Sequence, residues 1–261
     1  NYFDGLYYYY KSHPSIINPT LMAWQQITGC ENVDGADAAT DGDLDIAYAL
    51  LLAHAQWGSD GVIDYLNEAI ALIDAIYTSE INNNNQTIKL GDWVSGSVSP
   101  MSYSTRSSDF MPDHFKSFFA ATGDNHWQKT SDRCYTITDA IQTNYSTTTG
   151  LMPDFIRHTN TVPDPAAPNF LESTNDGDYY YNACRFATDY LITGDPRAYD
   201  ALAPINSWIK TKTSSLPANI KSGYDIETGN MLAGANYNDL AFQAPFAVSA
   251  MIDGSNQAWL N

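Results

Sequence analysis

Asp41, Asp43 and Asp45 stand together at the head of the stretch ATDGDLDIAYALLLAHAQW, residues 39–57. Such carboxylates can take a proton from water or hold a hydroxyl-rich ligand, and a suitably spaced pair performs general acid–base catalysis. They also have a plainer use. A carboxylate accepts hydrogen bonds from the free N–H groups of a helix's first turn and suits its dipole. One capping aspartate accounts for itself. Three do not, because a cap serves one or two donors, so at least one should point elsewhere.

The elements that must position these groups read as helices. Residues 43–57 carry Ile46, Ala47, Leu50, Leu51 and His54 at helical spacing, and Gly58 ends that run. Residues 60–79 carry Val62, Tyr65, Leu66, Ala69, Ile70, Ile73, Ile76 and Tyr77, with Ser59 and Asp60 as the expected N-caps. The short joint between the two predicts an antiparallel hairpin. The pattern recurs at 109–121 (Phe110, His114, Phe118, Phe119) and 125–144 (Trp127, Cys134, Ile137, Ile141) across a TGD turn. It recurs again at 178–193 (Ala183, Cys184, Ala187, Tyr190, Leu191) and 197–212 (Ala198, Leu202, Ile205, Ile209) across another. A last helix is expected over 237–252, with Tyr237, Leu240, Ala241, Ala244, Val248 and Met251 as its stripe. The long connections at 80–108, 146–177 and 213–235 hold Trp93, Tyr103, Phe155, Phe170 and Tyr224, too aromatic for disordered linkers. They predict an ordered rim of loops at one end of a helical toroid. TIKLGDWV could hold a short strand, and no Gly-Ser linker divides the chain, so residues 1–261 read as one domain.

Composition narrows the function. Hydrophobic residues make up 44% and charged residues 16%, a globular balance, and the net charge is −18. That charge repels phosphates and argues against duplex nucleic acid. It would attract a polycation, or serve only solubility. Cys30, Cys134 and Cys184 stand singly, without CxxC spacing, so a zinc site is not expected and at most one disulfide could form. No run of 18 apolar residues is present to span a membrane. The chain has no initiator Met or leader. It opens in NYFDGLYYYY, which reads as the inside of a helix, and stops in GSNQAWLN, which reads as the start of another, so a piece of a longer protein is expected. At least two of Tyr7–Tyr10 should lie in the core or wall.

The stretch from Ala39 to Trp57 resembles the signature of glycoside hydrolase family 8, through Ala39, Thr40, Asp41, Gly42, Asp43, Ile46, Ala47, Ala49, Ala53 and Trp57. The segments FDGLYYYYKSHPSIINPTLMAWQQ, MSYSTRSSDFMPDHF, TGLMPDF and DGDYYYNACR are similar to the chitosanase branch of that family. The resemblance implies an all-α (α/α)6 barrel, here lacking some hairpins, with long loops around a substrate cleft. It implies a hydrolase that inverts the anomeric carbon, with an acid and a base about 6.5–9.5 Å apart. In the family the acid lies in a Ser-Glu-Gly segment, which these residues do not contain; Ser79-Glu80 is followed by Ile81 in a polar loop and is not given that role.

For the base, one branch uses the Asp of a Tyr-Asp-Ala-x-Arg stretch. The matching stretch here is YNACR, with Asn182 at that position. In the chitosanase-like branch a loop Glu takes over, which implies Glu172. By the same resemblance Asp41 binds the sugar at the cleavage point and holds it distorted. Arg185 orients nearby carboxylates or forms a structural ion pair. Trp24, Trp93 and Tyr103 offer faces for sugar stacking, and Asn182 and Arg185 complete the substrate-binding set. Charge and kinship together favour chitosan, whose amines a cleft ringed by Asp41, Asp43, Asp45, Asp176 and Asp178 would attract. An endo-β-1,4-glucanase or lichenase on the same scaffold is the alternative, and a carbohydrate-binding remnant without turnover is another. A secreted monomer without metal or cofactor is expected.

Overall fold

The computed structural model describes residues 2–95, 100–186 and 194–261. They form two compact units, residues 1–102 with His114–Lys129, and Tyr103–Asp113 with Thr130–Asn261. Helices dominate, and each described strand is two or three residues long.

The first unit begins with α1, Tyr2–Ser12, whose Tyr10 is buried and Tyr7 half-buried. α2 (Thr40–Trp57) and α3 (Tyr65–Glu80) form the expected hairpin. Gly58 ends α2 with φ of 77° and returns its N–H to the His54 carbonyl. α3 starts later than its periodicity suggested. Asp64 caps it by accepting the Asn67 N–H, while Ser59 Oγ takes the Leu66 N–H and Val62 stays in solvent. Glu80 is the last residue of α3 and wholly buried, not part of a polar loop; the charge of nearby Lys89 faces it. Beyond it β1 (Ile81–Asn82) and β2 (Thr87–Ile88) pair antiparallel, Ile81 opposite Ile88. Farther along, Phe115, Phe118 and Trp127 interlock, Phe118 meeting the Trp127 ring edge-on at 5.0 Å between centroids.

In the second unit β3 (Thr105–Arg106) joins a sheet with two later strands. Before them the chain enters α4 (Pro112–Thr122) and α5 (His126–Asn144), elements that run on from one unit's residues to the other's. Cys134, Ile137 and Ile141 are all buried, as the spacing predicted. β4 (Phe155–Arg157) is the middle strand, antiparallel to β3 on one side and to β5 (Asp164–Pro165) on the other. α6, Pro196–Lys212, is capped by Asp195 and buries the predicted Ala198, Leu202, Ile205 and Ile209. α7 (Leu240–Ala250) precedes the short closing helix α8, Gln257–Leu260.

Two further expectations fail here. No α-helix forms over 178–186: Tyr179 bridges Tyr224 and a single 3-10 turn covers Ala183–Arg185. The remainder of that expected helix, 187–193, lies outside the described residues. In α7 the buried face is Phe242, Pro245, Phe246, Ser249 and Ala250, while Leu240 and Met251 are exposed. α7 is apolar on every side, so periodicity has no polar face to read against. The three cysteines are free thiols, Cys134 and Cys184 buried and Cys30 exposed.

The aromatic knot lies in the first unit's core, all three rings buried. Phe118→Ala is expected to lower the unfolding free energy by about 3–5 kcal/mol, read from denaturant titration of the two proteins.

Candidate functional site

The three opening aspartates part company. Ala39 occupies the N-cap of α2 and makes no side-chain cap bond, so none of the three serves as that cap. Asp43 is buried and accepts the Met22 N–H at 2.9 Å. Burial holds its carboxyl well above the ordinary range, against the lowering effect of that bond. Asp45 reaches out to His114 Nε2 at 3.1 Å, and the His114 ring stacks on Tyr48 at 4.1 Å. Asp41, in the first turn, is half-buried and accepts the adjacent Gly42 N–H. It therefore lies at the head of the helix without serving as its cap. Asp92 is a fourth carboxylate of this region and was not singled out by sequence. It is buried and gathers the Ala38 N–H, the Asn18 N–H and the Ser15 hydroxyl, fixing the approach to α2. Gly91 permits this fit, because a Cβ there would lie 2.1 Å from the Ala38 carbonyl and 2.7 Å from Trp93 Nε1. Trp93 is half-buried, and Trp24 is half-exposed with its indole N–H on the Asp34 carbonyl.

The second unit brings three of the sequence-predicted residues into one network. Asn182 Nδ2 donates to Glu172 Oε2 at 2.9 Å. Arg106, from β3, faces the other carboxylate oxygen at 3.4 Å. Arg185 lies within 3.5 Å of Asn182 Oδ1 and donates to Ser108 Oγ at 3.2 Å. The amide is thereby oriented, its oxygen toward a cation and its nitrogen toward a carboxylate. The cation paired with Glu172 here is Arg106, which sequence reasoning missed. Its signal was position: Arg106 follows the SYST segment and sits opposite Phe155 in the sheet, its guanidinium 5.3 Å from that ring. Tyr103 is half-buried, and its carbonyl accepts the Thr159 N–H.

Two buried carboxylates underlie this network. Asp154 accepts the N–H groups of Tyr180, Asn182 and Ala183 at 2.9, 3.2 and 2.7 Å. Burial pushes its carboxyl up to about 7, while those three bonds pull it down. Asp176, wholly buried, accepts the N–H groups of Leu171, Glu172 and Ser173. Asp43 and Asp176 therefore cannot ring a cleft as a field for a polycation, because both are spent inside the fold. Asp178 is half-buried, and burial, then the charge of Asp225, pushes it up to about 6. Among the described residues no group of His, Cys, Asp or Glu could hold a metal ion. None of the described helices is long and apolar enough to cross a membrane.

Comparison with known proteins gives a consistent result. The family model described as glycosyl hydrolases family 8 matches residues 1–258. A beta-glucanase of Niallia circulans is 49% identical over 267 aligned residues, covering 100% of this chain and 63% of that protein. An endoglucanase of Bacillus sp. (strain KSM-330) is 37% identical, covering 99% of this chain and 55% of that protein. The apo structure of a beta-1,3-1,4-glucanase from Paenibacillus sp. X4 superposes with a TM-score of 0.93 at 48% identity, over 99% of this chain and 68% of that one. The chain thus spans between half and two thirds of the curated relatives' length. The likeness gives it the expected fold class, all-α of the (α/α)6 type.

The raised carboxyls set a pH dependence. A group whose folded pKa exceeds its unfolded value stabilises the fold fully below the unfolded value, and that contribution is lost as pH rises through the folded one. For Asp178 and Asp154 the loss runs from 3.8 up to about 6 and about 7. The thermal midpoint should therefore gain from both groups as pH falls from about 8 to about 5. Asp178→Asn should show a smaller gain over the same range, measured by calorimetry.

Proposed function

Because the chain belongs to glycosyl hydrolases family 8, we propose that the protein is an inverting endo-β-glucanase, cutting β-1,4 or mixed β-1,3-1,4 linkages with water. The observation that carries the substrate class is the 49% identity, along the whole chain, to a protein named a beta-glucanase. Chitosan is the second reading; the net charge of −18 favours it. It is the weaker one, because Asp43 and Asp176 are buried away from any polymer.

In the proposed reaction Glu172 is the general base. Its carboxylate takes a proton from water as the water oxygen attacks the anomeric carbon, and the glycosidic C–O bond breaks with inversion. Asn182 and Arg106 support this role: each offers N–H donors to one oxygen of Glu172, so its orientation is set. The leaving oxygen needs a proton from a carboxylic acid. By resemblance that acid belongs to a Ser-Glu-Gly segment, which does not occur in these 261 residues. Asp41 binds the distorted sugar at the cleavage point, with Arg185 keeping Asn182 turned toward the base, and Trp24, Trp93 and Tyr103 stacking on sugar faces. We take the protein to work outside the cell as a monomer, since its polymer substrate does not enter cells.

The full-length protein should release reducing ends from barley β-glucan and carboxymethyl-cellulose faster than from chitosan. The reverse order would favour the chitosanase reading, and no release from any of them a binding role. Glu172→Gln should lower turnover about 10²–10⁴-fold, the usual share of a general base, while polysaccharide binding is kept. Asp41→Asn should reduce kcat more than it raises KM, since its contact strengthens in the transition state. An equal fall in thermal stability and activity would instead make Asp41 a structural residue.

A further inference from the structure

A general base on an irregular connection has to be held still. Glu172 lies on the 166–177 segment, with its side chain nearly half exposed. Few backbone bonds order this segment: the Asn169 N–H reaches the Ser173 carbonyl, and Phe170 leans on Phe155 at 5.9 Å. What fixes residues 171–173 is one carboxylate. Asp176 Oδ2 accepts the Leu171 N–H at 2.6 Å and the Glu172 N–H at 3.1 Å. Its Oδ1 accepts the Ser173 N–H at 2.8 Å and the Ser173 hydroxyl at 3.3 Å. Asp176 is itself anchored, because its carbonyl accepts the Phe155 N–H of β4 at 2.8 Å. Gly177 lets the chain pass there, since a Cβ would meet the Ala166 carbonyl at 2.2 Å.

We propose that Asp176 is a positioning residue for the general base, transmitting the rigidity of β4 to the Glu172 backbone and so keeping the carboxylate between Asn182 and Arg106. The inference rests on Glu172 being that base. Both oxygens of Asp176 are occupied by donors, so an amide in its place would turn an NH2 group against an N–H. The backbone at 171–173 would then shift while the residues that bind substrate stay. A misplacement of about 1 Å costs on the order of 10² in rate.

The test uses the full-length protein on barley β-glucan with four forms: wild type, Asp176→Asn, Glu172→Gln and the double variant, each corrected for folded fraction by near-UV circular dichroism. Asp176→Asn should lose about 10²-fold in kcat, with KM changed less than about threefold. The double variant should be no slower than Glu172→Gln alone, because a residue acting through the base has nothing left to position. Ser173→Ala, which deletes only the hydroxyl bond, should show a smaller fall of kcat with the same non-additivity, and serves if Asp176→Asn does not fold. The proposal is overturned if the corrected kcat of Asp176→Asn stays within about twofold of wild type, or if the two losses multiply in the double variant. Full turnover by Glu172→Gln would overturn the base assignment, and this inference with it.

Discussion

Backbone N–H groups that leave water must find acceptors, and long irregular connections have no ladder to supply them. In this protein buried aspartates do so. Asp92 collects the Ala38 and Asn18 N–H groups ahead of α2. Asp43 takes that of Met22. Asp154 takes those of Tyr180, Asn182 and Ala183, and Asp176 those of Leu171, Glu172 and Ser173. Each carboxylate loses hydration on burial, and the bonds from its N–H donors offset part of that loss. The balance is visible in Asp154, which burial pushes up to about 7 although three donors favour its charge.

This use of aspartate changes what the acidity of the chain means. A net charge of −18 suggests a field for attracting a cationic polymer. Part of that charge is internal and spent on loop backbone, and Asp45 is paired with His114. An acidic composition therefore does not by itself mark a cationic substrate. Counting charges cannot separate a buried acceptor from a solvated one, because both are written as Asp in a polar stretch.

The helices were legible where a polar face contrasts with an apolar one. α5 and α6 bury the residues their spacing marks, Trp127, Cys134, Ile137 and Ile141 in one and Ala198, Leu202, Ile205 and Ile209 in the other. α7 lacks the contrast, and its buried face was misread. Over 178–186 apolar residues occur at helical spacing, yet the backbone is committed to Tyr224 and to the Asp154 carboxylate, so tertiary bonds override the local pattern. In the candidate site, Asn182 and Arg185 could be named because YNACR matches a known motif, and Glu172 because it is the one glutamate of the neighbouring loop. Arg106 and Asp154 could not, since their roles arise from contacts between segments far apart in the chain; Asp176 was expected at the cleft and instead binds the backbone three to five residues before it.

The pairing of Glu172 with Asn182 is best understood as a single chemical unit. With an aspartate at position 182, a second carboxylate would lie about 3 Å from Glu172, and two such groups cannot both ionise at low cost. Asparagine has the same outline but presents an N–H to Glu172 Oε2 and an oxygen toward Arg185. The amide and the loop glutamate are thereby complementary. Asp154 and Asp176 fasten the backbone of one partner each, so the geometry of the unit is decided by two carboxylates buried beneath it.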